Sequence, residues 1–167
     1  DMERTYPVRS MIGDCEPMRD LKHRISRVGP TDTPVLILGE AGTGKELTAR
    51  ALHEHSDRAA APLVTVHCAA VPKALQLEEL FGSDNQPGRI ENADGGTFFL
   101  DEVGELSNES QSRLLTLLEQ GEIHRQGSLS PRRVDVRVIA SSQMDLPARV
   151  TDGRFREDLY YLSLRPP

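Results

Sequence analysis

The stretch Val35–Lys45, VLILGEAGTGK, decides the fold: four apolar residues break into a glycine-rich turn that ends on a lysine. Gly39, Gly42, Gly44 and Lys45 satisfy G-x-x-x-x-G-K. Glycines admit positive φ and close backbone approach, so successive N–H groups can turn inward on a phosphate, and the lysine adds a cation. Residues Glu46–His55 are expected to be helical. Bound phosphates would then also lie at a helix N-terminus, where unpaired N–H groups and the helix dipole favour anions. The candidate nucleotide-binding set here is Gly39, Glu40, Ala41, Gly42, Thr43, Gly44, Lys45 and Glu46. Glu46 is anomalous, because the usual motif has at that place a Ser or Thr whose hydroxyl holds magnesium.

A glycine-rich turn between strand and helix can also bind nothing. A second motif downstream argues against that. Thr97–Glu102, TFFLDE, reads as a short apolar strand delivering two carboxylates at its end. It fits a Walker B element, with Asp101 holding magnesium directly or through water and Glu102 polarising the attacking water. A lone FLDE is ordinarily a buried strand running into a helix cap; its pairing with the loop favours the nucleotide reading.

With 167 residues, 37% of them hydrophobic, the chain can bury one core and is expected to be a single domain. Its net charge is −6, with no basic block, so gripping DNA is assigned to a separate domain outside this fragment. Cys15 and Cys68 stand too far apart for a CxxC pair, with no histidine at zinc spacing, and neither a disulfide nor a metal centre is indicated. No segment approaches the ~20 apolar residues that span a bilayer. These features point to a cytoplasmic, soluble protein with no membrane partner.

In chain order, apolar spacing predicts a helix over Pro17–Val28, a strand at Val35–Leu38 and a helix after the loop. His53 and His55 in that helix are read as exposed. Leu63–His67 is a strand and Leu75–Phe81 is helical. Ser83–Asp94 reads as a polar loop with little that could pack. Ser107–Gln120 reads as a helix with Leu114, Leu115, Leu117 and Leu118 inward, stopped by Gly121, and Glu122–Arg125 as a short strand. Val134, Val136 and Val138 alternate into Ile139 and Ala140 as a strand half exposed at one end, which ends at Ser141, Ser142 and Gln143. A helix over Phe155–Tyr161 and a last strand at Leu162–Leu164 complete the reading. Strands alternating with helices imply an α/β fold with a mainly parallel central sheet covered on both faces, and ligands at the strands' carboxyl ends. The loop, Asp101–Glu102 and Gln143 all follow strands, so they can share that edge.

GEAGTGKELTARALHEHS, CAAVP, EELFG, ADGGTFFLDEVGEL, VDVRVIA and FREDLYY, in this order, resemble the signature stretches of one family nearly end to end. It is the central AAA+ ATPase domain of bacterial enhancer-binding proteins, the activators of sigma-54 RNA polymerase. In that family Glu commonly follows the phosphate-loop lysine, which accounts for Glu46. The resemblance implies a P-loop NTPase core (three-layer sandwich) that binds ATP and Mg2+ and assembles with itself into a ring. It further implies action on RNA polymerase holoenzyme from between a regulatory domain and a DNA-binding domain. Those neighbours, and the helical lid with its sensing arginine, are expected outside residues 1–167. Arg156 of FREDLYY matches an arginine that acts in trans on the neighbouring subunit's γ-phosphate, and Gln143 stands where the family usually has an Asn at the end of the fourth strand.

The departures matter as well. The family carries a long loop with a GAFTGA motif after ELFG, whereas here Gly82 is followed by SDNQPGRIENADGG. His67 stands where the family usually has an Asn that restrains the catalytic glutamate, and Leu162 where FREDLYY is normally followed by a second arginine. The sequence therefore implies ATP binding, with hydrolysis weak or dependent on assembly, in a nucleotide-responsive regulator module that controls transcription without sigma-54 remodelling. The alternatives are an ATP-hydrolysing sigma-54 activator domain and a stand-alone P-loop enzyme such as a kinase.

Overall fold

Strand β3 (Thr97–Asp101) lies inside a four-stranded sheet, and its alternation sets the architecture. Successive side chains point to opposite faces, so Phe98 and Leu100 enter one core while Phe99 enters another. The computed structural model describes residues 16–40 and 44–160, with side chains from residue 20 onward. Ala41, Gly42 and Thr43 of the loop, Cys15 and the strand expected at Leu162–Leu164 lie outside the described residues.

The sheet is all parallel, in the order β1 (Val35–Leu38), β6 (Arg137–Ser142), β3, β2 (Leu63–His67). Helices α1 (Glu16–Val28) and α2 (Lys45–Glu54) cover one face, where Ile25, Ala49, Ala51 and Leu52 meet Val35, Phe99 and Ile139. The other face carries α3 (Gln76–Phe81), α4 (Arg89–Asn92) and α5 (Asn108–Gln120), packed on Leu36, Val66, Phe98, Leu100, Val138 and Ala140. Burial on both faces explains the near-continuous apolar runs of these strands. A two-residue hairpin ladder, β4 (Glu122–Ile123) with β5 (Arg132–Arg133), projects beside α5, and α6 (Leu146–Thr151) follows β6. No helix among the described residues is long and apolar enough to cross a membrane.

Several expectations are corrected. Ser83–Asp94 is not an unpacked loop: it holds α4, whose Ile90 is 1% exposed, and the buried Ala93 follows it. The strand expected from Val134 begins at Arg137, because the backbone N–H of Val134 donates to Gly121 O and that of Asp135 to the Asp94 carboxylate; no sheet partner takes them. Beyond Gly153 the helical turn begins at residue 157 and reaches 160, the last described residue, with Phe155 ahead of it as a buried anchor. Helix α6 went unread, although Asp145 caps it by accepting from the Ala148 N–H and Pro147 sits in its first turn.

His53 is not exposed but 3% accessible. Its Nε2–H donates to Ala61 O at 3.0 Å, so Nδ1 is the acceptor for the Thr97 hydroxyl at 2.7 Å. Burial pulls its pKa below the ordinary 6.5, with Arg137 and Arg50 adding repulsion, despite the Ala61 bond and Glu54 pulling the other way. A group with a depressed folded-state pKa must lose stability when it is forced to take up a proton. Folding stability from His53 is therefore complete above about pH 6.5 and declines as pH falls below it. Denaturant titrations at pH 7.5 and 5.5 check this: the wild type should lose more stability across that interval than His53→Gln.

A second buried polar group frames the site. Arg137, 1% exposed at the start of β6, donates to Val28 O, Gly29 O and Thr33 O at 2.9, 2.7 and 3.3 Å. The carbonyls of Val28 and Gly29 lie at the C-terminus of α1, where carbonyls lack intrahelical partners, and that of Thr33 lies at the entry to β1. One guanidinium thus ties α1 and the entry to β1 onto the centre of the sheet.

Candidate nucleotide site

Strand β6 is the hinge of the site because it lies between β1 and β3. The phosphate loop leaves β1 with the Gly39 N–H donating to Ser142 O at 3.2 Å. Gly44 adopts φ 82° at the N-cap of α2, a left-handed conformation, and open space surrounds its α-carbon where a side chain would point. Lys45 then opens the helix and folds back across the loop, its ammonium donating to Gly39 O at 2.6 Å and Glu40 O at 3.1 Å. Two of its three N–H donors thus hold it at the mouth of the loop. Glu46 is exposed in the first turn of α2.

Asp101 ends β3 with both oxygens engaged. Ser141 Oγ donates to Oδ1 at 2.9 Å, and His67 Nδ1, which must carry the proton because a carboxylate only accepts, donates to Oδ2 at 2.8 Å. His67 is paired with Asp101 through the register of β2 on β3. It therefore holds Asp101 and not Glu102. Ser141 carried no sequence signal beyond its place at the end of a strand.

Glu102 is restrained by other means. Its backbone is left-handed at φ 61°, the one such non-glycine residue among those described, a conformation that costs of order 1 kcal/mol or more and is kept where surroundings enforce it. Its Oε1 accepts from the Gln143 backbone N–H at 2.7 Å. The contribution of Gln143 is thus its main chain, while its side chain is exposed. Oε2 is buried without a hydrogen-bond partner. Burial raises the Glu102 pKa above the ordinary carboxylate value; Lys45 and the Gln143 N–H oppose the shift, and Asp101 reinforces it. The adjoining Cys68 is no nucleophile: burial, with Asp101 nearby, pushes its thiol up to about 12.

The residues fit a magnesium nucleotide. No group of three or more His, Cys, Asp or Glu among the described residues could enclose a metal. Mg2+ is commonly held by one or two carboxylates and completed by phosphate oxygens and water, which suits Asp101 beside Glu102. The buried, unpartnered Oε2 of Glu102 is also the kind of atom that a bound water would satisfy.

Arg156 stands apart from this group. Its guanidinium pairs with Asp158, and its backbone N–H donates to Gln111 Oε1. The structure brings together Gly39, Glu40, Gly44, Lys45, Asp101, Glu102 and the Gln143 backbone, and leaves Arg156 with local partners.

The segment where the long loop was missed is closed. Ser83 and Gln86 exchange backbone hydrogen bonds at 2.9 and 3.2 Å, and Gln126 N–H donates to Gly82 O at 2.8 Å. Gly82 has φ 88°, and a side chain at Gly88 would collide with the backbone of Gly82 and Leu80. Arg125 forks onto Glu91 at 2.9 and 3.1 Å, fastening α4, which follows this turn, to the segment after β4.

A family model described as the Sigma-54 interaction domain matches residues 11–164. Among curated relatives, nitric oxide reductase transcription regulator NorR2 of Cupriavidus necator is 52% identical over 166 residues, covering 93% of this chain and 32% of the relative. DNA-binding transcriptional regulator NtrC of Salmonella typhimurium is 45% identical, covering 96% and 36%. The chain thus spans about a third of the length of these relatives. Among solved structures, NtrX from Brucella abortus in complex with ATP superposes with a TM-score of 0.90 at 39% identity, over 93% of this chain and 36% of that one. The P-loop NTPase domain of the sigma-54 transport activator from E. coli, at 24% identity and a TM-score of 0.64 over 93% of this chain and 96% of that one, shares the fold. The chain belongs to the sigma-54 interaction domain family, AAA+ P-loop NTPase modules of NtrC- and NorR-type transcription regulators.

Proposed function

We propose that this chain is the ATP-binding AAA+ core of a bacterial transcription regulator, in which nucleotide occupancy governs self-assembly and thereby transcription, without remodelling of sigma-54 polymerase. The observation that carries the reading is the convergence of Lys45, Asp101 and Glu102 at the carboxyl ends of β1, β3 and β6. The ATP- and ADP-bound NtrX structures, at 39% and 38% identity, support the choice of nucleotide.

In this reading the loop N–H groups and Lys45 bind the β and γ phosphates. Asp101, aimed by Ser141 and His67, would hold Mg2+, whose charge would offset that of the phosphates. Glu102 orients the attacking water and takes its proton; a carboxylate whose pKa is raised by burial is the better base for that step. Arg156 acts across a subunit boundary on the neighbour's γ-phosphate, and such an arginine can be worth ~10³-fold or more in turnover. The full regulator would work as a ring-type homo-oligomer, meeting DNA through a separate domain and acting on RNA polymerase holoenzyme in the cytoplasm.

The closed turn between Gly82 and Gly88 supports the second half of the proposal. It stands where the sequence departs from the resembling family's GAFTGA loop, and backbone hydrogen bonds lock it on both sides. Family membership favours the alternative, an ATP-driven sigma-54 activator. A purified transcription assay separates the two. With ATP and its DNA site supplied, the regulator is expected not to open a sigma-54 promoter, and robust ATP-dependent opening would establish the alternative.

A further inference from the structure

We propose that Gln111 is a positioning residue for Arg156: it locks the backbone that carries this arginine while leaving the guanidinium free to change partners. The inference rests on the trans-acting role of Arg156 set out above.

Gln111 sits in the first turn of α5 with none of its surface exposed. A buried amide is costly unless each of its groups is paired. Here all are, and every partner is main chain. One Nε2–H donates to Leu106 O at 2.9 Å and the other to Arg154 O at 3.0 Å, while Oε1 accepts from the Arg156 N–H at 2.8 Å. Two of the three bonds thus bracket Phe155, itself 2% exposed in the main core. The third ends on Leu106, in the connection that runs from Glu102 to α5. An apolar side chain of similar volume could fill this space but could not fix the path of residues 154–156.

The guanidinium is held differently. Arg156 Nε and Nη2 donate to Asp158 at 3.0 and 2.9 Å, with the two side chains 42% and 35% exposed. An exposed pair of this kind is weakly held, so a phosphate presented by a neighbouring subunit can displace the carboxylate. A fixed base with an exchangeable tip is what a residue needs if it must meet a reacting group on another chain, where a misplacement of about 1 Å can cost ~10²-fold.

The test mixes two variants of the protein. The receiver, Arg156→Ala, keeps its nucleotide site; the donor, Lys45→Ala, keeps Arg156 but has lost its phosphate lysine. As donor is titrated into receiver, the receiver's preference for a fluorescent non-hydrolysable ATP analogue over the ADP analogue is followed by anisotropy. Donor with Gln111 intact is expected to raise that preference. Donor carrying Gln111→Glu, which keeps the shape and the acceptor but loses both N–H donors, should forfeit on the order of tenfold of it. The same substitution in the receiver should leave the gain in place.

Equal losses from both placements would mean that Gln111 only supports the fold, and an undiminished gain would deny it any role; either overturns the proposal. No gain from the intact donor would overturn the trans role of Arg156 itself, and this inference with it. Hydrogen exchange on the wild type provides a check that needs no variant: the Arg156 amide should be strongly protected although its side chain is exposed, and rapid exchange there would refute the lock.

Discussion

Replacing Lys45 with alanine is expected to weaken ATP binding by on the order of 10²-fold while leaving the fold intact. The ammonium is the cation the structure places at the mouth of the loop, held by Gly39 O and Glu40 O. Charge-assisted hydrogen bonds contribute ~1.5–3 kcal/mol each, so losing even one to a phosphate oxygen costs a factor of ten to a hundred. The folded state loses only two hydrogen bonds to carbonyls at the loop edge, which water can replace. Competition with a fluorescent ATP analogue measures the affinity, and thermal melting checks the fold. An unchanged affinity would place the nucleotide elsewhere.

Glu102→Gln is expected to separate binding from turnover. The amide preserves the shape and still accepts from the Gln143 N–H, so affinity for ATP should stay close to that of the wild type. It cannot take a proton from water, and loss of a general base typically costs 10²–10⁴-fold. The same change should raise the melting temperature at neutral pH. Burial raises the Glu102 pKa, so the folded state favours the protonated form. Stability from this group is then largest below its ordinary value of 4.5 and falls as pH rises through the higher folded value. At pH 7 the ionised carboxylate is a liability that a neutral amide removes, and the gain should shrink as pH is lowered toward 4.5. A variant that turns over ATP as fast as the wild type would remove Glu102 from the chemistry.

These two residues were legible in the sequence because their demands are local. A lysine after a glycine turn and a carboxylate pair after an apolar strand need only their own neighbours to be recognised. The parallel sheet was legible for a related reason, since VLIL, LVTVH and TFFLD are apolar or β-branched runs of strand length. What escaped depends on partners far along the chain. His53 is buried by its bond to Thr97, 44 residues away, and Arg137 serves carbonyls more than 100 residues earlier. Neither separation leaves a periodic trace. His67 was singled out without a partner, because only the register of β2 on β3 sets it beside Asp101. Ile90 was lost in a polar stretch, where one buried residue in a four-residue helix generates no pattern.

ATP is expected to seat at the carboxyl ends of β1, β3 and β6. Hydrogen exchange measured with and without ATP and Mg2+ tests it most directly. Added protection is expected to concentrate on the Gly39–Lys45 amides, the first turn of α2 and the Asp101–Val103 segment, and Lys45→Ala is expected to abolish it. Protection confined to other surfaces, or none at saturating ATP, would contradict it.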